Sequence, residues 1–178
     1  MNKKLLGILP LILIFIIGFF IWALAERSES FQEPNEALLA NDQDLVLIPG
    51  YKHDDRALFF FIKNETYLGA AYVHKRIFGW KAGMLTWSSL DRNNEGLDSY
   101  SGHGDHLIYG LIRHGDERLI QVGEHDAKML NLEMLPQNKV EQLRLKGLYL
   151  WYFEGGSFSD RKGVKLIDKN NGEEIDSL

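Results

Sequence analysis

The sequence predicts an all-β fold: a single antiparallel β-sandwich or open barrel domain after one N-terminal transmembrane helix. Three observations carry this. Residues Leu5 to Ala25 form an apolar run with no charged side chain between Lys4 and Glu26. From Asp44 onward the chain breaks into eight to ten short apolar runs separated by turn residues, the spacing of an antiparallel sandwich or barrel. Near the C-terminus, Asn171-Gly172 stands between two such runs, the strongest short-range hairpin signal.

The chain divides into 1–25, a transmembrane anchor or signal peptide; 26–43, a tether with a short helix; and 44–178, the β domain. A spanning helix needs roughly 20 apolar residues, the length of the first run. Lys3 and Lys4 precede it, and Glu26, Arg27, Glu29 and Glu33 follow. The positive-inside bias then predicts a single-pass protein with a cytoplasmic N-terminus and an extracytoplasmic body on the cell membrane. Ala23-Leu24-Ala25 offers a cleavage site, and cutting after Ala25 would release the body as a secreted protein.

Composition limits the function classes. The chain has 178 residues, 20 basic and 25 acidic, for a net charge of −5. This excludes the basic footprint of a nucleic-acid binder, so no nucleic acid is expected as partner. There is no cysteine, hence no disulfide, no lipobox thiol and no thiolate metal site. About 150 residues beyond the apolar run suffice for one self-supporting core.

Element by element, Pro34 to Asn41 suits a short helix with proline in the first turn. Leu45–Ile48 reads as a strand ending at Pro49-Gly50. Ala57–Ile62 (ALFFFI) suits a strand covered on both faces. Asn64-Glu65 turns it into Tyr67–Lys75. In Phe78–Trp87, period two puts Phe78, Trp80, Ala82 and Met84 on one face, with Gly79 and Gly83 opposite as bulge candidates. Asp91–Asp105 is a long polar loop. Leu107–Arg113 and Leu119–Val122 read as a hairpin about His114–Glu117. Ala127–Leu135, Val140–Leu145 and Leu148–Phe153 read as strands, and Val164–Asp168 pairs with Glu174-Ile175.

The runs Tyr109-Gly110-Leu111-Ile112, Ile120-Gln121-Val122, Trp151-Tyr152-Phe153 and Val164–Asp168, with Asn171-Gly172 and Ile175, resemble the strand-and-turn pattern of small secreted or membrane-anchored β-sandwich proteins of Gram-positive bacteria. The resemblance covers about residues 107–176. It implies a β-sandwich outside the cell and carries no catalytic residue.

The candidate chemistry centres on the end of the long loop. His103, Asp105 and His106 supply imidazole and carboxylate, ligand types suited to zinc, manganese or iron. Tyr100 is expected to be exposed beside them as a ligand-binding residue. No H-E-x-x-H or EF-hand spacing and no G-x-S-x-G elbow occurs, so solvated polar turns account for these residues better than a metal or catalytic site does. Trp80, Trp87 and Trp151 suit core packing. The expected function is therefore a non-enzymatic binding or accessory module, using the Asp91–Asp105 loop to contact an envelope protein, peptide or wall glycan, with no cofactor. The alternative is a metal-dependent hydrolase built on His103, Asp105 and His106.

Overall fold

The computed structural model describes residues 3–97, 100–155 and 163–178, with side chains in the first helix described from Ile12 onward. Among the described residues, twelve strands form three antiparallel four-stranded sheets, A, B and C. Sheet A is a meander of β1 (Val46–Lys52), β2 (Arg56–Lys63), β3 (Tyr67–Arg76) and β4 (Gly79–Ser89). Sheet B has the order β5-β6-β10-β9, from β5 (Ser101–His103), β6 (Leu107–Arg113), β10 (Leu148–Glu154) and β9 (Lys128–Asn131). Sheet C has the order β12-β11-β7-β8, from β12 (Glu174–Ser177), β11 (Val164–Asp168), β7 (Arg118–Val122) and β8 (His125–Asp126).

Alternation along the strands builds a stack. Leu58, Phe60, Leu68 and Ala70 of sheet A pack with Leu107, Tyr109, Leu148 and Tyr152 of sheet B. The opposite face of sheet B sends Ile108, Ile112 and Trp151 against Ile120, Val122, Val164 and Leu166 of sheet C. Sheet B is thus buried on both faces, which is why β6 reads as a continuous apolar run. The outer face of sheet A, with Phe59, Phe61, Val73 and Trp80, is covered by Ala37 and Leu38 of helix α2 (Pro34–Leu39). The expected all-β fold is present, in a form consistent with a sandwich and built from three antiparallel sheets.

The membrane expectation is overturned. Among the described residues, no helix is long and apolar enough to cross a membrane. Helix α1, Lys3–Ser28, does not meet that requirement over its described residues. The single-pass anchor is therefore unsupported, and the expected extracytoplasmic location, which rested on it, loses its basis. The end of the helix is clamped to sheet A instead. Lys81 pairs with Glu26 at 3.0 Å and Glu29 at 3.1 Å. Phe31 and Trp80 exchange backbone hydrogen bonds of 3.0 and 2.7 Å.

Other expectations shift for local reasons. Pro49-Gly50 does not end β1. It lies inside the strand at a register shift, which the edge position allows because no neighbour needs the proline N–H. In β4 an irregularity between the partners Ala71 and Val73 reverses the alternation, so Met84 is 70% exposed and Leu85 packs inward. β6 and β7 are not a hairpin but lie in different sheets. Val140–Leu145 is largely helical: α3 (Gln137–Leu143) follows Pro136 and buries Val140 and Leu143 at a spacing of three. Ala127–Leu135 is a strand only through Asn131, then a single 3-10 turn (Leu132–Met134) capped by the Asn131 side chain. The β11–β12 hairpin forms, with positive φ at Gly172 but not at Asn171, so the turn is longer than the two residues expected.

Candidate functional site

Sheets A and B meet at their edges through side chains. The reversed alternation of β4 turns Thr86 and Ser88 toward sheet B, where β5 presents Ser101 and His103. Thr86 Oγ1 lies 2.6 Å from His103 Nδ1, and Ser88 Oγ lies 2.5 Å from Ser101 Oγ. His103 is 6% exposed, and burial lowers its pKa below the usual histidine range. Next to this seam the Tyr109 hydroxyl is buried and, among the described residues, has no hydrogen-bond partner, though Thr86 and Ser101 flank it. Burial raises its pKa.

The histidine loop does not converge. β5 and β6 form a tight hairpin with Gly104, Asp105 and His106 in the turn, and Gly104 takes φ +59°. His103 points inward, whereas Asp105 and His106 are exposed on the turn. Among the described residues no three His, Asp or Glu side chains gather as a metal-binding group. Tyr100 is 40% exposed and leans on Trp151, with ring centroids 6.1 Å apart. Nor is Asp91–Asp105 a free loop. Asn94 and Leu97 are buried, Asn94 donates to Leu111 O at 3.2 Å, and Asp176 accepts from Leu97 N at 2.7 Å. Ser99, in the same stretch, lies outside the described residues.

A second polar cluster links sheets A and B at the end of β10. Glu154, last residue of β10, accepts hydrogen bonds from Tyr51 Oη at 2.9 Å and Tyr72 Oη at 2.9 Å. Arg56 Nη2 stands 3.2 Å from the same carboxylate. One sheet B side chain therefore ties together β1, β2 and β3. Burial first, then the hydrogen bond to Glu154, pushes both tyrosine pKa values up. The Arg56 guanidinium lies over the rings of Tyr51 and Tyr72, 5.7 and 5.4 Å from their centroids. Lys128 of β9 stands similarly over Tyr51 and Tyr152, at 5.8 and 5.7 Å. Two further residues of β3, His74 and Arg76, continue the face of Tyr72 by period two. The His74 pKa is lowered by burial, then by Arg76 and Arg56, against an opposing pull from Asp55. His103 joins the edge of this cluster through its ring contact with Tyr72, at 5.3 Å.

Sequence reasoning found His103 and missed Tyr51, Arg56, Tyr72 and Glu154. These four are scattered over about 100 positions with no common motif. The one available signal was polarity at the ends of apolar runs: Arg56 opens ALFFFI and Glu154 closes LYLWYF.

The fold and this cluster define a mostly β protein of three stacked sheets, two of them joined by a charged cluster of Tyr51, Arg56, Tyr72 and Glu154. No known family, curated protein or solved structure matches the chain.

Proposed function

We propose that this chain is a non-enzymatic binding module that engages a protein or peptide partner at the polar cluster where Glu154 joins sheets A and B. The observation that carries this reading is the Glu154 carboxylate, bonded to Tyr51, Tyr72 and Arg56 from three strands. Such bonding fixes side chains that would otherwise lose rotamer freedom on association, so less ordering remains to be done when a partner arrives. Arginine and tyrosine are also the residue types that dominate binding hot spots. The reading relocates the contact surface from the Asp91–Asp105 loop, whose Asn94 and Leu97 are packed into the body.

Two observations weigh against the alternatives. The hydrolase reading needs His103, Asp105 and His106 to converge, and His103 Nδ1 is already engaged by Thr86. A neutral glycan needs an open ring face, and the faces of Tyr51, Tyr72 and Tyr152 carry Arg56 or Lys128.

The test is a peptide array probed with the full chain and with Tyr51→Ala and Arg56→Ala variants. Peptides retained by the native chain should lose at least about tenfold in affinity toward each variant, a difference of about 1.4 kcal/mol. Equal retention by native and variant chains would remove this surface from consideration.

A further inference from the structure

Asn171 is the only asparagine of the chain that is followed by glycine. It lies in the turn between β11 and β12, where residues 169–175 are all exposed. Its side chain is folded back onto its own backbone. Oδ1 accepts from the Glu173 N–H at 2.9 Å, and Nδ2 donates to Glu173 Oε2 at 3.0 Å. The first bond closes an Asx turn, which holds the carboxamide over the Asn171–Gly172 peptide, beside the Gly172 nitrogen. Gly172 takes φ +75°, and apart from its two chain neighbours no atom lies within 4 Å of where its Cβ would stand. No side chain therefore shields the Gly172 nitrogen from the carboxamide. Asn94 differs on each count: it is buried, precedes Glu95 and donates to Leu111 O.

We propose that Asn171 is a site of spontaneous modification, at which the chain cyclises onto Gly172 and opens to aspartate and isoaspartate, loosening β12. The Gly172 nitrogen gives its proton to hydroxide and attacks Asn171 Cγ. The N–Cγ bond forms, the Cγ–Nδ2 bond breaks, and Nδ2 takes a proton from water and leaves as ammonia. Water then opens the cyclic imide at either carbonyl. One opening restores the backbone with aspartate at 171, and the other routes the backbone through the side chain as isoaspartate. The Glu173 N–H stabilises the negative charge that develops on Oδ1 during attack. Gly172 N–H donates to Asp168 O at 2.9 Å, and this bond must open before the nitrogen can react. Exposed turns open at little cost in free energy, so this bond gates the reaction without preventing it. Either product adds a negative charge to a turn that already holds Asp168 and Glu173. It also replaces the Nδ2 donor with an acceptor, setting carboxylate against the Glu173 carboxylate. The turn sets the register of the hairpin, so its distortion frays β12, an edge strand whose Asp176 accepts from Leu97 N–H at 2.7 Å.

The experiment incubates the full chain, kept dispersed with a non-ionic detergent because α1 exposes apolar side chains, in mildly alkaline water enriched in heavy oxygen. Peptide mapping by mass spectrometry follows each asparagine over time, and released ammonia is assayed alongside. Amide-to-acid conversion with uptake of the heavy oxygen is expected at Asn171, in two isomeric products, at a rate that rises with hydroxide concentration. Asn171 should react at least about tenfold faster than Asn64 or Asn170, and Gly172→Ala should slow it by a similar factor. A synthetic peptide of residues 165–176 sets the rate without the folded hairpin. If Asn171 stays intact in the folded chain while the peptide converts, the turn protects the bond and the modification site is overturned. Conversion of Asn64 or Asn170 at the same rate as Asn171 overturns it too. The Asn171→Asp variant reads the consequence separately. Hydrogen exchange at the Leu178 amide, which donates to Val164 O, should quicken at least about fivefold while that of β2 stays unchanged. Unchanged exchange at Leu178, both in this variant and in the aged native chain, overturns the loosening of β12.

Discussion

Glu154→Ala is the sharpest perturbation of the link between sheets A and B. It strips Tyr51 and Tyr72 of their acceptor and leaves Arg56 facing two half-buried hydroxyls. A hydrogen bond to a charged partner contributes about 1.5–3 kcal/mol. The Arg56 pair adds at most about 1 kcal/mol, because its side chains are 43% and 23% exposed. The three contacts share one carboxylate and so are not additive, which brings the expected loss to about 3–4 kcal/mol. For a chain of this size that lowers Tm by about 10 °C. Glu154→Gln keeps one carbonyl acceptor and should cost about half as much. Tyr72→Phe should cost about 1–2 kcal/mol, and in a double-mutant cycle with Glu154→Ala the pair should show coupling of about 1–2 kcal/mol. Chemical denaturation monitored by tryptophan fluorescence supplies all four stabilities. A cost below about 1 kcal/mol for Glu154→Ala, or no coupling to Tyr72, would refute the argument that this carboxylate joins the sheets.

Further outcomes follow from other sites. Burial lowers the His103 pKa, so the unfolded chain takes up the proton first; stability is full above about pH 6.5 and falls as pH drops toward the lowered folded value. His74 acts with the same sign, so His103→Gln should reduce this acid limb without abolishing it, and an unchanged slope between about pH 5 and 7 would contradict the assignment. Gly69→Ala would place a Cβ 2.2 Å from Phe61 Cζ and 2.5 Å from Thr86 O, so a loss of about 1–3 kcal/mol is expected in urea titrations. Gly110→Ala meets the Trp151 indole at 2.8 Å and should shift the tryptophan emission along with stability. Zinc or manganese added to chelator-treated protein should move Tm by less than about 1 °C; a rise of several degrees that His103→Gln removes would restore the metal centre.

The strands themselves were largely legible. ALFFFI, YLGAAYVHK, LIYGLIR and LYLWYF all lie within strands, because runs buried on both faces need β-branched, leucine and aromatic residues throughout. What a short window cannot hold is the assignment of strands to sheets. Leu119–Val122 pairs with β11, more than 40 residues later, not with its neighbour β6. The site was illegible for a related reason. An uninterrupted alternation puts Thr86 and Ser88 on the face of Trp80, and only the irregularity beside Gly83 turns them toward His103. Val140–Leu145 suits a strand by sequence, yet most of it belongs to α3, because its buried positions Val140 and Leu143 are residues that both states accept.

The order of strands has a consequence for how the chain acquires its structure. Sheet A is complete within residues 46–89, each strand paired with the next through a short connection. Sheets B and C are interleaved: the chain lays down β5 and β6 in B, β7 and β8 in C, returns to B for β9 and β10, and finishes in C. Neither can close before the last third of the chain is present. Local pairing is entropically cheap and fast, whereas pairing across long separations is slow. The meander is therefore the early cooperative unit, and the two interwoven sheets form later as one. In native-state hydrogen exchange the amides of β6, β10 and β11 should open together, apart from those of β2 and β3.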